Sequence, residues 1–522
     1  MSASREKKQR QDTLGQGLTQ KQIQEQKEAA AKKRNTIAYT VIGVVVVVLV
    51  AALLIWNSGF FQARSTAVSV NGRNYTPTDV IYYYANARSP YQQYGSLLGY
   101  DATKSDKEQI YDADSGQTYH DYFLQQAMSA LTQAAAVEDA AKADNYTLSA
   151  EGKAAVDETL ASMDAQLPSG YSRATYLKAV YGKYMTVARY RACLERAQLV
   201  SEYATNHQES LSYDDAAIQA YYDGHKDEMD TFNYNVCFIN GVPASSTDAE
   251  GNTVEPTDAE KAAAMSAAKA IADKLSSDVK AGGSFDTLAA AAAESDAKSS
   301  YNGEQSQLGS NLSSVPYKDW IYDASRKGGD VEVFESEGSG YYVVQFGSRA
   351  LSEAPTADIR HILIKAEAPV DDPATTDVDE SANAPTQEAM DAAKAEAQRI
   401  LEEFNAGDKT AESFGKLAEQ YSQDGGSNTN GGLYEQVYDG RMFEGFNAWI
   451  MDPARQSGDT TLIENTQDGQ QGWHVVYFQS WDDPVWKINA RTSLLNADMQ
   501  AWLEGLEAGY TAVQGSGIKY VG

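Results

Sequence analysis

SFGKLAEQYSQDGGSNTNGG fills residues 413–432, and WIMDPARQSGD follows at 449–459. Each has an earlier counterpart at the same offset of 129 residues: SFDTL at 284–288 and WIYDASRKGGD at 320–330. Working outward, GYYVVQF at 340–346 answers GWHVVYF at 472–478, and YNVCFI at 234–239 answers RHILIK at 360–365. Four matched segments in one order define an internal repeat. Each copy reads strand, helix, helix, a Gly/Ser/Asn-rich loop, helix, strand. That order predicts a compact α+β domain with a small sheet, made twice, over 229–351 and 354–482. The acidic, proline-bearing stretch EAPVDDPATTDVDESANAPT (367–386) interrupts the second copy and reads as a loop.

Upstream, residues 60–228 read as a helical domain. A short β-like AVSVNGRNY comes first, then segments with apolar residues at three- and four-residue spacing, with Thr76, Ser149 and Ser172 as N-cap candidates. Tyrosine is dense in IYYYANARSPYQQYGSLLGY (81–100); helical spacing reads most of these rings as core, while a peptide-holding groove would leave some of them on an exposed patch. Residues 483–522 read as a C-terminal helix. Ile37–Trp56 holds twenty residues without a charge, about 30 Å as a helix, enough for a bilayer core. Nine Lys/Arg and four Asp/Glu precede it, so the positive-inside rule expects residues 1–36 in the cytoplasm and the bulk of the chain outside, on a single-pass membrane anchor.

The second copy resembles the parvulin family of prolyl isomerases. RHILI (360–364) matches the family's opening strand with its first histidine, and SFGKLAEQYSQDGGSNTNGG its F..LA..YS.D..S...GG run. RMFEGFNAWI matches through Met442 and Phe446, and GWHVVYF through the second histidine. The wider layout resembles PrsA-type and SurA-type foldases. The resemblance implies cis/trans isomerisation of X–Pro bonds in unfolded or partly folded exported polypeptides, with holding-chaperone activity. It further implies a polar cluster of His361, Asp424, His474 and Thr466 beside a proline cup of Met442 and Phe446. Tyr434 stands where the family's GGDLG has a pocket leucine. Alone, the Met/Phe pair would read as core packing. Aspartate is a weak nucleophile, so electrostatic assistance is expected rather than a covalent step. Ser422 is either part of that network or a helix-end cap.

The first copy lacks the set. By offset, Asn235 and Tyr342 stand at the histidine positions, with Ser313 and Tyr317 for Met and Phe. A non-catalytic membrane-anchored chaperone or assembly scaffold remains the alternative reading of the whole chain. A net charge of −30 disfavours nucleic acid and anionic lipid as partners. Cys193 and Cys237 share no metal-ligand or disulfide spacing, and no phosphate-binding, dinucleotide, zinc-protease or nucleophile-elbow motif occurs. No cofactor and no metal is therefore expected. His120, His207 and His225 are expected to be solvated.

Overall fold

The computed structural model describes residues 20–59, 64–247, 253–294, 298–367, 385–467 and 469–522. The 367–386 stretch lies almost entirely outside them. The chain divides into two compact units, Met1–Leu211 with Asp498–Gly522, and Ser212–Ala497.

In the first unit, helices Pro77–Tyr94, Tyr119–Ala143, Ala150–Ala165, Arg173–Tyr181 and Val187–Ser210 follow a small antiparallel sheet. Caps set the helix starts: the Ser149 hydroxyl accepts from Gly152 N–H at 2.8 Å, and Thr76 N–H donates to the Asp79 carboxylate at 2.8 Å. Two expectations are corrected here. The segment 483–522 is not one separate helix. Helix Val485–Glu507 is followed by strand Ala512–Gln514, which pairs with Val68–Val70, and Val521 is fully buried. The boundary at 228 also moves, since residues 212–228 belong to the second unit. The tyrosines are mostly core. Tyr75, Tyr84, Tyr100 and Tyr119 are buried with Phe123 and Leu131, and Tyr84 meets Phe123 and Tyr100 meets Tyr119 edge to face.

Residues Gln20–Asn57 form one 38-residue helix. Among the described residues, no helix is long and apolar enough to cross a membrane. The described side chains of its apolar stretch run from Tyr39 to Ile55, all exposed, and the expected 37–56 span extends past them at both ends.

The second unit holds the repeat. Each copy is a four-stranded antiparallel sheet, with strand order Ser300–Leu308, Thr231–Asn240, Gly340–Ala350, Val331–Ser336 in the first. In the second the order is Leu433–Val437, Pro355–Lys365, Gly472–Pro484, Thr460–Asn465. Two helices cover one face of the second sheet. Gln387–Ala406 and Ala411–Tyr421 bury Ala397, Ile400, Phe404 and Phe414 against Ile362, Ile364, Val475 and Tyr477. Helix Glu444–Ile450 covers the other face through Phe446 and Ile450, over Ile359, Val476 and Phe478.

The repeated W-I-x-D-x-x-R-x-x-G-D motif is structural. Arg455 lies 4.8 Å from the Trp449 ring and pairs with Asp452 (2.8 Å) and Asp459 (3.5 Å). Arg326 does the same with Trp320, Asp323 and Asp330. The clasp fixes the turn that leads into the edge strand of each sheet.

Candidate active site

The opening and closing strands of the second copy are paired so that His361 faces Val476 and Leu363 faces His474. Paired residues share a face, so both histidines project from the same side as diagonal neighbours, toward helix Glu444–Ile450. Two glycines allow a close crossing beneath them. Gly431 and Gly432 both have positive φ, and Gly432 C=O accepts from His361 N–H at 2.9 Å. A Cβ on Gly432 would fall 2.2 Å from the His361 carbonyl oxygen, so only glycine fits there.

His361 and His474 are both buried and meet through their Nδ1 atoms at 3.0 Å. The other ring nitrogens set the proton order. Asn465 is buried, and its Oδ1 accepts from Gln467 N–H at 2.9 Å. That contact directs its Nδ2–H to His474 Nε2 at 3.2 Å, making Nε2 an acceptor. His474 therefore carries its proton on Nδ1 and donates to His361 Nδ1. His361 in turn carries its proton on Nε2, facing Asp424 Oδ2 at 3.1 Å. One direction of donation runs from Asn465 through both imidazoles to Asp424.

Asp424 is the sink of this chain. Its Oδ2 also accepts from the hydroxyls of Ser427 (2.6 Å) and Tyr434 (3.2 Å), and its Oδ1 from Gly426 N–H (3.2 Å). The hydrogen bond from His361 is the main reason its carboxyl is held well below the usual carboxylate range. Burial, then the neighbouring His361, pushes the His474 pKa down from 6.5 to about 3. Burial and Asp424 raise that of Tyr434.

Tyr434 lies 4.8 Å from the His361 ring, and Phe446 lies 5.1 Å from His474, edge to face. Phe443 joins them, 5.4 Å from Phe446 and 5.8 Å from His474. Met442 is half-buried in the same cluster, while Phe446 is fully buried. Five expected site residues (His361, Asp424, His474, Tyr434 and Phe446) thus meet in one network, with Met442 beside it.

Thr466 does not join them. It is exposed, and Asn465 takes its place, because alternation along strand Thr460–Asn465 turns position 465 inward opposite Gly472. Ser422 is a cap. Its hydroxyl accepts from Leu363 N–H (3.2 Å) and Asp424 N–H (3.3 Å) at the end of helix Ala411–Tyr421. Ser427, Phe443 and Asn465 belong to the site without having been expected there. Ser427 was visible as the serine between Asp424 and the glycine pair, whereas Phe443 and Asn465 carry no signal that sets them apart from ordinary core.

The first copy is corrected by one residue. Val236, not Asn235, faces Val344 as His361 faces Val476, and Phe238 faces Tyr342 as Leu363 faces His474. Asn235 lies on the other face, where its Oδ1 accepts from the Tyr301 hydroxyl at 3.1 Å. Val236, Tyr317 and Tyr342 form an apolar and aromatic cluster where the second copy has its polar one. The remaining histidines are packed rather than solvated. His120 contacts the Tyr84 hydroxyl at 3.2 Å, His207 stacks on Trp502 at 4.2 Å, and His225 stacks on Tyr221 at 3.9 Å.

Residues 361–480 match the model of the PPIC-type PPIASE domain, and residues 246–350 match a second model of that description. Residues 27–204 match the SurA-like N-terminal domain. No curated protein matches. Among solved structures, PrsA from Bacillus subtilis is similar at 14% identity, covering 78% of this chain and 93% of that one, with a TM-score of 0.28. A SurA-like chaperone structure from Campylobacter jejuni is similar at 13% identity, covering 84% and 94%, with a TM-score of 0.18. The peptidylprolyl isomerase PrsA from Bacillus cereus is similar at 21% identity, covering 30% and 48%, with a TM-score of 0.17. The chain thus spans about half the length of that structure, and 58% of the Bacillus anthracis PrsA structure.

Proposed function

We propose, for a chain that joins a SurA-like N-terminal domain to two PPIC-type PPIASE domains, that the second of these catalyses cis/trans isomerisation of X–Pro bonds in exported polypeptides. The rest of the chain holds the client. The observation that carries this reading is the buried, hydrogen-bonded histidine pair beside Met442, Phe443 and Phe446.

Planar X–Pro amides resist rotation by roughly 18–20 kcal/mol because twisting removes resonance. A catalyst must favour the twisted form over both planar ones. Met442, Phe443 and Phe446 supply an apolar seat for the pyrrolidine ring. The planar amide is the more charge-separated form, and a desolvated site disfavours it relative to the twisted one. Each ~1.4 kcal/mol of that preference is about tenfold in rate. The four donors on Asp424 engage its oxygens, which leaves the carboxylate poorly placed to attack a carbonyl and supports a non-covalent route. His474, kept neutral by burial, acts with the hydrogen-bonded His361 ring as a fixed dipole.

The same reading places residues 37–56 in a membrane as a single-pass anchor, N-terminus cytoplasmic, with the folded units outside. Its supports are the uncharged stretch, the charge bias and the exposure of the side chains from 39 to 55.

The test is exchange spectroscopy on an X–Pro peptide with the chain from residue 64 onward. Acceleration is expected, with loss on replacing His361 and His474 together. A rate equal to the uncatalysed one sinks the enzymatic reading and leaves a peptide-holding scaffold.

A further inference from the structure

Two long stretches of this acidic chain are free of acid, residues 29–78 around the apolar helix and residues 165–194. Residues 165–194 contain no Asp or Glu, but five Lys/Arg and five tyrosines, in a protein of net charge −30. The stretch covers helix Arg173–Tyr181, the loop after it and the start of helix Val187–Ser210. Two of its cations are spent at its margins: Arg173 pairs with Asp164 (2.6 Å), and Arg191 with Asp157 (2.7 Å) and Glu195 (2.8 Å). Lys178 and Lys183 are exposed on the helix and the loop. Val180 between them is 44% exposed, and Tyr171 is 49% exposed.

The loop is tied to the end of the apolar helix. Lys183 Nζ donates to Asn57 Oδ1 at 3.2 Å, and Asn57 is the last residue of helix Gln20–Asn57. Lys183 also lies 4.9 Å from the Tyr184 ring. That ring covers Gly59, which is buried and has φ +77°. A Cβ there would fall 2.1 Å from the ring atoms. Both contacts lie within four residues of Ile55, an exposed apolar side chain near the end of that helix.

We propose that the exposed face of residues 171–184 rests on the outer leaflet of the membrane that holds residues 37–56, its cations taking anionic phospholipid headgroups. This rests on the anchor reading above. Three features argue for lipid as the occupant. The patch is continuous with the apolar helix. It interleaves lysine, tyrosine and valine, a composition suited to the interfacial zone. Its local charge opposes that of an anionic leaflet, although the chain as a whole would be repelled by one. The contact would set the standing height of the first unit above the membrane.

The test uses the full chain in vesicles of phosphatidylcholine, alone or enriched in phosphatidylglycerol. Both native cysteines are buried, so Val180→Cys takes an environment-sensitive fluorophore. A headgroup-level quencher carried on lipid is expected to quench that label in the enriched vesicles. Loss of each cation should weaken surface occupancy about fivefold, and charge reversal at Lys178 and Lys183 by more than that at each position, an effect that fades with salt. Equal quenching in both lipids, or no response to Lys178→Glu with Lys183→Glu, overturns the headgroup assignment. Flotation separates the two readings. A chain that does not float with vesicles refutes the anchor and this proposal with it. A chain that floats while its label stays aqueous refutes this proposal alone.

Discussion

Lowering the pH from 7 to 5 probes the histidine pair directly. Burial of His474 pushes its folded-state pKa down to about 3, against 6.5 for the free side chain. Between those values the unfolded chain binds a proton there that the folded domain refuses. The stabilisation from a neutral His474 is therefore complete above about pH 6.5 and is lost as pH falls toward 3. The slope approaches 1.4 kcal/mol per pH unit, so the loss at pH 5 is about 2 kcal/mol. Asp424 is silent in this window. Its carboxyl is held below its usual range, so its contribution is present above about pH 4 and lost only below that. The readout is urea-dependent hydrogen exchange in strand Gly472–Pro484, which reports opening of this domain alone. The wild-type chain should lose about 2 kcal/mol more than His474→Gln between pH 7 and pH 5. Identical pH dependence in the two proteins would refute the buried neutral histidine.

Asn465→Ala leaves His474 Nε2 without its donor and frees the tautomer, so kcat/KM for X–Pro exchange should fall about tenfold, the effect of ~1.4 kcal/mol; an unchanged value would show that the proton order is irrelevant. Met442→Ala should reduce turnover per folded molecule with little change in the unfolding midpoint, whereas Phe446→Ala, at a fully buried site, should cost about 3–5 kcal/mol of stability as well. Activity per folded molecule that survives Met442→Ala would make that residue core alone. A phosphate on the residue before proline should slow turnover, because PVDDPATTDVDE after the first strand offers it only like charge. Faster exchange of the phosphopeptide than of its plain partner would refute that.

What the sequence displayed, and what it hid, follows from the kind of signal each feature leaves. Two copies of one domain were legible because the Trp–Arg–Asp clasp needs the same letters at the same spacing wherever it closes a sheet. Trp320 with Arg326 and Trp449 with Arg455 do so. The histidines were legible because they are rare, five in the chain. Register was not. YNVCFI and RHILIK align equally well with or without a one-residue shift, since both strands are apolar on both faces, yet that shift exchanges the faces. It hid Val236 behind Asn235. The same parity rule separates Asn465 from Thr466: either could hydrogen-bond an imidazole, and only the pairing of Asn465 with Gly472 decides which one points inward. The strand Ala512–Gln514 was hidden for another reason. Three residues at the far end of the chain complete a sheet begun at Val68, a long-range pairing with no local periodicity to announce it. Sequence pattern thus resolves chemistry where residue types are scarce, and fails where the deciding fact is which of two neighbours faces in.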